Sequence, residues 1–511
     1  MSNFDFDHGR SHQVSWTEKL LDTLEKFAPL LLGLGVGAFL VILFGRFPTK
    51  WVTFIIFALI AGSIMVLVVT LTKQTRETLL FASIPTLPLA YSITFGFRDH
   101  PPFSVLANGF PIDLFDIALF SLLAGWLYQL WIKTEPVSIH FPRRWTAIML
   151  SLLAINLFSA LFIARENFYS FSLIYGQLKC YLIAFFIANY IRDTHSLRIL
   201  GYAFASILII QGVIVLEQLF LGVIFTAELL GRQVNLESAA GLDTINRAAG
   251  TLGHPNNMAM YLNLIIPWVG FQLAEEKTNR RRIYLATGLF LGLFAVLASG
   301  SRGAWLGLAV GTFTAVMIWY RRQGKSPVVA LFSLTIFVSV LFSVLYAASD
   351  TFRTRLSSDD KGAALVRVPL MEVASEIIQA NPLDGVGVAN YTGEMLFYDR
   401  TTTNVASFYN QPVHNTFLLI AAETGHPSLA LFIGLIVIAL RTAYVLTLSE
   451  TEEHSALGFG MLASLIGWFI HNQVNHTSPF TESTLWLIFG MLIAAQNQLR
   501  RQQKLDASST E

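Results

Sequence analysis

A histidine and an asparagine, His414 and Asn415, stand at the head of the apolar run QPVHNTFLLIAAETGHPSLALFIGLIVIAL, Gln411 to Leu440. The run is long enough to cross a bilayer. An imidazole at the mouth of such a helix can take a proton from a hydroxyl near neutral pH. Three arginines fall in other polar segments: Arg247 in INRAAGTLGHPNN, Arg302 in SGSRGAW and Arg367 in LVRVPL. Guanidinium groups keep their charge at any relevant pH and offer a forked donor set that matches phosphate oxygens. Three arginines near one membrane face suggest an anionic lipid headgroup, with a diphosphate-linked lipid as the obvious candidate.

The other polar residues have blander readings. His254, before Pro255, reads as a turn or helix-opening residue, with Asn256 able to cap the next helix. Glu423 and His426, further along the Gln411–Leu440 run, are costly inside a membrane and are expected to pair with neighbouring spans. His471 and His476, in HNQVNHTSPFTES, read most simply as external loop residues, with support of the site behind His414 as a weaker alternative. An arginine beginning a helix commonly snorkels to lipid headgroups, so Arg302 could be an anchor. There is no HExxH, P-loop or GxSxG sequence, and Asp359-Asp360 has no partners at ligand spacing. The lone Cys180 lies in an apolar run and supplies neither a disulfide nor a thiolate site within one chain.

The elements that position these groups must be membrane helices. The 511 residues are 54% hydrophobic and 13% charged, with a mean hydropathy of +0.56, far more apolar than a soluble domain. A net charge of +1 carries no basic excess of the kind that marks a nucleic-acid binder. Roughly fourteen apolar stretches are candidates for crossing. They centre near residues 37, 61, 87, 123, 154, 181, 212, 266, 291, 312, 338, 427, 465 and 489. The stretch at 87 is interrupted by Pro85 and Pro88, and the pair around Ser301 is short enough for re-entrant segments to be an alternative. Trp16, Leu20, Leu24 and Phe27 share one face of an expected interfacial helix.

Orientation follows from Lys and Arg in the short loops. KQTRE, PRRW, EEKTNRRR (Glu275 to Arg282), RRQGK and the C-terminal RRQQK fall on one side, expected to be cytoplasmic along with both termini; RFPTK violates the pattern. The segments Leu230–Asn257 and 298–305 then lie outside, as does a loop of roughly 65 residues from Ser349 to Val413. A connection of that length should be an ordered cap. Within it VPLMEVASEIIQANP reads as one helix with Pro369 in its first turn, followed by a tight turn at Asp384–Gly387.

SRGAW, then R-x-P-x-M-x-V-A-x-x-I-I-x-x-N-P-L-x-G-V-G-x-x-N-Y, then HN followed by Gly425, together resemble the bacterial O-antigen ligase and O-antigen polymerase superfamily over about Arg247 to Leu440. The ligase signature continues G-x-x-G-T, and here Ser428 and Leu429 stand in place of its last Gly and Thr. The resemblance implies an all-α polytopic protein of the bacterial inner membrane with about twelve spans, which with the fourteen stretches counted above gives about twelve to fourteen transmembrane helices, and a periplasmic cap between the eleventh and twelfth. It also implies a metal-independent, inverting glycosyltransferase without a cofactor. His414 would be the base, Arg302, Arg367 and Arg247 would engage the diphosphate of an undecaprenyl-linked glycan, and Asn415 would orient substrate or cap its helix. The partners implied are that donor, a glycan or lipid acceptor, and membrane lipids. Repeat-unit polymerisation and inorganic-carbon transport are the alternatives. The expected division is 1–27 interfacial, 28–230 N-terminal bundle, 231–440 catalytic region with cap 349–413, 441–497 C-terminal helices and 498–511 tail.

Overall fold

The computed structural model describes residues 75–89, 92–100, 102–103, 107–131, 139–221, 247–348, 353 and 361–509. The expected spans at 37 and 61, the interfacial helix and the first part of the cap loop lie outside these residues. Leu80–Glu511 form one compact unit, to which the following applies.

The expected third span is not a continuous helix. α1 (Thr75–Ser83) passes into a single 3₁₀ turn, Ile84–Thr86, after which the chain turns into a two-stranded hairpin, β1 (Ser92–Phe95) antiparallel to β2 (Phe110–Asp113). Pro85 and Pro88 explain the break, since neither can donate to a helical carbonyl. The remaining elements are helices: α2 (Leu114–Trp131), α3 (Arg143–Phe158, continued by a π turn to Ile163), α4 (Asn167–Tyr190), α5 (Thr194–Leu216, likewise continued to Leu221), α6 (Pro255–Glu275), α7 (Asn279–Ala298), α8 (Arg302–Arg322), α9 (Pro327–Ala348), α10 (Lys361–Ala380), α11 (Tyr391–Tyr398), α12 (Thr416–Thr447), α13 (Glu452–His471) and α14 (Ser483–Ser509). Among the described residues six are long and apolar enough to cross a membrane: α3 to α5, α7, α8 and α12. The chain is an all-α membrane protein. The pair around Ser301 is two full-length helices, not re-entrant segments.

Close helix contacts build the scaffold of the site. Gly303, Gly307 and Gly311 of α8 lie one turn apart; Gly307 and Gly311 meet α13 at Gly467 and Ala463, Gly303 meets the turn beyond it at Val474, and a Cβ on any of them would strike the partner. Small residues at this spacing let two backbones approach in lipid, where packing rather than hydrophobicity drives association. At the other end of α13, Lys277 pairs with Glu452 at 2.9 Å, and Arg198 pairs with Glu453. The arginine-bearing ends of α7 and α8 therefore lie at the opposite face from Arg302. Lys179 of α4 is buried against Asp113 (3.0 Å) and Asp116, a polar cluster that fixes the start of α2.

α10 carries the cap. It begins at Lys361, so Pro369 lies inside the helix rather than in its first turn. Its apolar stripe, Leu370, Val373, Ala374 and Ile377, packs against Tyr391 and Met395 of α11 and against Val413, Leu419 and Ala422. The polar connection between α10 and α12 thus has its own core, as the length of the loop requires.

Candidate active site

α12 is two helices joined at Gly425, whose φ of 75° and ψ of 174° are non-helical. The sequence Gly425-His426-Pro427 causes the break. Pro427 has no N–H, so the Glu423 carbonyl has no helical donor. The cap supplies one: Gly387 N donates to Glu423 O (3.0 Å) and Val386 N to Ala422 O (2.9 Å), while His426 N turns to Pro382 O (2.9 Å). The expected tight turn is this docking element, with Gly385 and Gly387 both at positive φ. Glu423 and His426 do not pair with neighbouring spans. The buried Glu423 carboxyl accepts at Oε1 from Tyr391 N at the head of α11, and the His426 ring faces Pro382 O at 2.8 Å. Asn390 completes the attachment, accepting from Glu166 N (2.8 Å) and donating to Ser170 Oγ (3.1 Å).

These bonds hold the short first arm of α12, and with it His414. Asn415 is the N-cap: its Oδ1 accepts from Phe417 N and Leu418 N, both at 3.0 Å. Its amide donates to Gln473 O (3.2 Å), and Thr416 donates from its N–H to Asn472 O (3.0 Å) and from its hydroxyl to Asn472 Oδ1 (2.8 Å). Of the two roles expected for Asn415, the cap is the one the geometry displays. The segment following α13 is thereby tied to the histidine. Asn472 and Asn475 also direct their amides at the Met260 sulfur (3.5 and 3.7 Å).

The result is a histidine cluster that the sequence did not advertise. The rings of His414 and His476 meet edge to face with centroids 4.6 Å apart, and Tyr409 lies 6.1 Å from His414. The Nδ1 atoms of both histidines are buried without a hydrogen-bond partner. Burial, reinforced by the charge of Arg367 and by His254, holds the His414 pKa down to about 4, the Pro412 carbonyl opposing. His476 is pushed to about 3, first by burial and then by His414, His254 and Arg367. Both are neutral at physiological pH. His254 itself caps α6, its Nδ1 accepting from Asn256 N at 3.2 Å. The cap is the histidine, and Asn256 serves another partner.

That partner is Arg247, whose Nη2 donates to Asn256 Oδ1 (2.8 Å) while its Nε donates to Ser299 O (2.7 Å). Arg247 clamps the α7–α8 turn to the start of α6, which makes it partly a structural residue. Each residue of SRGAW acquires a job in that turn. Gly300 adopts φ +63°, Ser301 Oγ faces His471 Nε2 at 3.4 Å, and Gly303 lies against His471 and Val474. The Ala304 carbonyl accepts from Asn263, and the Trp305 indole donates to Val296 O (3.0 Å). Arg302, the first residue of α8, is left exposed at the rim.

Arg247, Arg302 and Arg367 line one cavity of about 240 Å³, together with Asn256, Gly300 and His471. The three arginines expected to act together do converge, although they come from three separate parts of the chain. Arg367 connects the cavity to the histidines, since its charge reaches His414, His471 and His476. Three positive side chains in a concave wall have the charge and forked donors that match an anion with several oxygens. Among the described residues, no group of three or more His, Cys, Asp or Glu side chains is placed to hold a metal ion.

His471 and His476 are the residues the sequence reading undervalued. Their signal was the second HN, His471-Asn472, in a polar stretch closing an apolar helix. No curated protein matches the chain. A family model does, over residues 287–433, a segment that contains Arg302, Arg367 and His414 and ends before His471. The matching model is described as O-antigen ligase, and the motifs from SRGAW to Gly425 that resemble that superfamily lie within the matched segment.

Proposed function

We propose that this protein transfers a glycan from an undecaprenyl-diphosphate carrier to an acceptor hydroxyl at the outer face of the bacterial inner membrane, as an O-antigen ligase does. The observation that carries the reading is the cavity lined by three arginines, one of which, Arg367, extends its charge to the neutral, half-buried His414. Basic loops at the opposite ends of α7 and α8 support an external site.

The reaction is a single displacement at the anomeric carbon. Neutral His414 takes the acceptor's proton as the new glycosidic bond forms, an effect typically of ~10²–10⁴-fold for a well-placed base. The bond to the diphosphate breaks with its electrons passing to the leaving oxygen. Arg302 and Arg367, with Arg247 held at the back of the cavity, receive the growing charge. Donor binding also tunes the base: a diphosphate beside Arg367 offsets the charge that suppresses His414, raising its basicity when the donor is present.

Polymerisation of lipid-linked repeats is the second reading, favoured by Ser428 and Leu429 where the ligase signature has Gly and Thr. Purified protein supplied with the lipid-linked donor should release undecaprenyl diphosphate in the presence of chelator and without nucleotide. Failure to release it with any acceptor would remove the transferase reading.

A further inference from the structure

The face opposite the arginine cavity carries two further cavities. The head of α13 marks this face: Glu452 and Glu453 pair there with Lys277 and Arg198, and the next residue, His454, meets Gln498 of α14 at 2.8 Å. Gln498 also donates to Ile191 O (3.4 Å). The second half of α14 therefore lies at the same face as the basic loop that opens α7.

The two cavities differ in charge. One, of about 180 Å³, is lined by four glutamates and three cations, among them the pairs Lys277–Glu452 and Arg198–Glu453, so its charges offset one another. The other, of about 560 Å³, is lined by Arg500, Arg501 and Lys504 of α14 together with Asn497, His140 and Ile139. Among the described residues no carboxylate lines it, and Arg500 and Lys504 form no ion pair. Its volume is within the range of ~300–1,000 Å³ usual for sites that hold a small ligand.

Segments 357 residues apart in the chain build this second cavity, where Asn497 Nδ2 donates to His140 O (3.3 Å). His140 N in turn donates to Asn189 Oδ1 of α4 (2.8 Å), which fixes the loop before α3 beside α14. Three residues after His140, Arg143 begins α3, one of the helices apolar enough to cross a membrane, and Arg143 and Arg144 are exposed in its first turn. The cavity thus stands where hydrocarbon gives way to headgroups. Ile139, 55% exposed, adds an apolar part to its wall. Guanidinium forks match phosphodiester oxygens, and a basic pocket between membrane helices at this depth favours an anion that carries its own acyl chains.

We propose that this cavity binds the headgroup of an anionic phospholipid, with Arg500 and Lys504 meeting the phosphodiester and the Asn497–His140 bond holding the two walls together. The site is separate from the arginine cavity, which faces the other leaflet, and does not depend on the transferase reading.

Purified full-length protein in neutral detergent is titrated with phosphatidylglycerol, and bound lipid is counted by native mass spectrometry. Arg500→Gln with Lys504→Gln removes two exposed cations from the cavity. Arg280→Gln with Arg282→Gln removes two exposed cations at the same face but outside it. Phosphatidylglycerol should bind the unmodified protein and R280Q/R282Q alike, and R500Q/K504Q about 10- to 30-fold more weakly. Equal loss in the two double variants would reduce the effect to general attraction by basic loops and overturn the proposal, as would undiminished binding to R500Q/K504Q. Two arms need no substitution. Phosphatidylcholine binding as tightly as phosphatidylglycerol would show that the cavity does not read charge, and displacement of the lipid by inorganic phosphate at equal concentration would show that it takes a soluble anion; either result sinks the lipid site.

Discussion

Gly385 of the cap and Gly425 of α12 are packed backbone to backbone. A Cβ on Gly385 would overlap the Glu423 carbonyl, and one on Gly425 would overlap the Leu383 carbonyl. Both also sit at positive φ, 67° and 75°, where an L side chain is strained. The two glycines that stand out in the sequence pattern therefore do no chemistry themselves. They let the cap bond to the carbonyls that Pro427 leaves open, and so set the direction in which the short arm carrying His414 points.

Gly425→Ala should accordingly lower stability by about 2–4 kcal/mol, as expected for a steric clash combined with a strained backbone. Thermal unfolding in detergent measures it. A midpoint equal to that of the unmodified protein would mean that the cap can dock without this contact.

Asn415→Ala should cost about 1 kcal/mol through loss of the helix cap, and turnover should drop further because His414 loses its anchor to Gln473. Asn415→Asp keeps the acceptor for Phe417 and Leu418 but not the amide donor. It should recover stability and not full activity. Equal recovery of both would leave capping as the entire role of Asn415.

Stability should also fall on acidification, and the sign can be worked out. His414 and His476 have pKa values of about 4 and about 3 in the folded protein, against about 6.5 in an unfolded chain. Between these values the unfolded state binds more protons, so stability rises with pH across the window and is lost as pH falls from about 6.5 toward 4. Activity needs neutral His414 and should decline on the same side. Replacing His476 with Asn should flatten the melting-temperature profile over this range. A profile as steep as before would place the acid sensitivity elsewhere.

Much of this site was legible in the order of residues. Arg302 and His414 were identifiable as charged or ionisable groups at the heads of apolar runs and Arg367 as a guanidinium in the polar segment LVRVPL, and the structure does bring the arginines to one cavity. Arg247 was legible as a polar group but not as a clamp, since its partners Ser299 and Asn256 are recognisable only once α6 and the α7–α8 turn are adjacent. Other features were hidden for specific reasons. The break in α12 lies within a continuous apolar stretch, so hydropathy reads straight through it although Gly425-His426-Pro427 contains the signal. His476 resembled a solvated loop residue because the groups that hold its loop in place, Thr416 and Met260, are remote in sequence. Glu423 looked like a membrane-embedded acid. Its actual partner is a backbone N–H of the cap, which no periodicity argument identifies.

Arg302→Lys and Arg367→Lys preserve charge while removing the planar fork. If both arginines hold diphosphate oxygens in pairs, each variant should lose about 10- to 100-fold in activity. Arg367→Lys should also weaken the coupling between donor binding and His414. Arg247→Lys should differ from both by lowering the melting temperature, because its contacts to Ser299 O and Asn256 Oδ1 close the turn. Identical behaviour of all three variants would contradict this division of labour.

The choice between ligase and polymerase depends on what occupies the acceptor side, since the arginine cavity serves a diphosphate in either case. A ligase moves a finished glycan to an acceptor that is not polyprenyl-linked, so donor alone should give little product and addition of acceptor should give one transferred block. A polymerase uses a second lipid-linked unit as acceptor, and donor alone should then give a ladder of products still attached to lipid. Ser428 offers a way to probe the difference, because its hydroxyl is buried without a partner just beyond the Gly425 break. Restoring the ligase residues with Ser428→Gly and Leu429→Thr should increase transfer to a non-polyprenyl acceptor if those positions shape the acceptor side. The expectation is block transfer by the unmodified protein, improved by the double substitution. A donor-only ladder would assign the protein to the polymerase branch, and movement of a small solute across vesicles with no glycan product would exclude both.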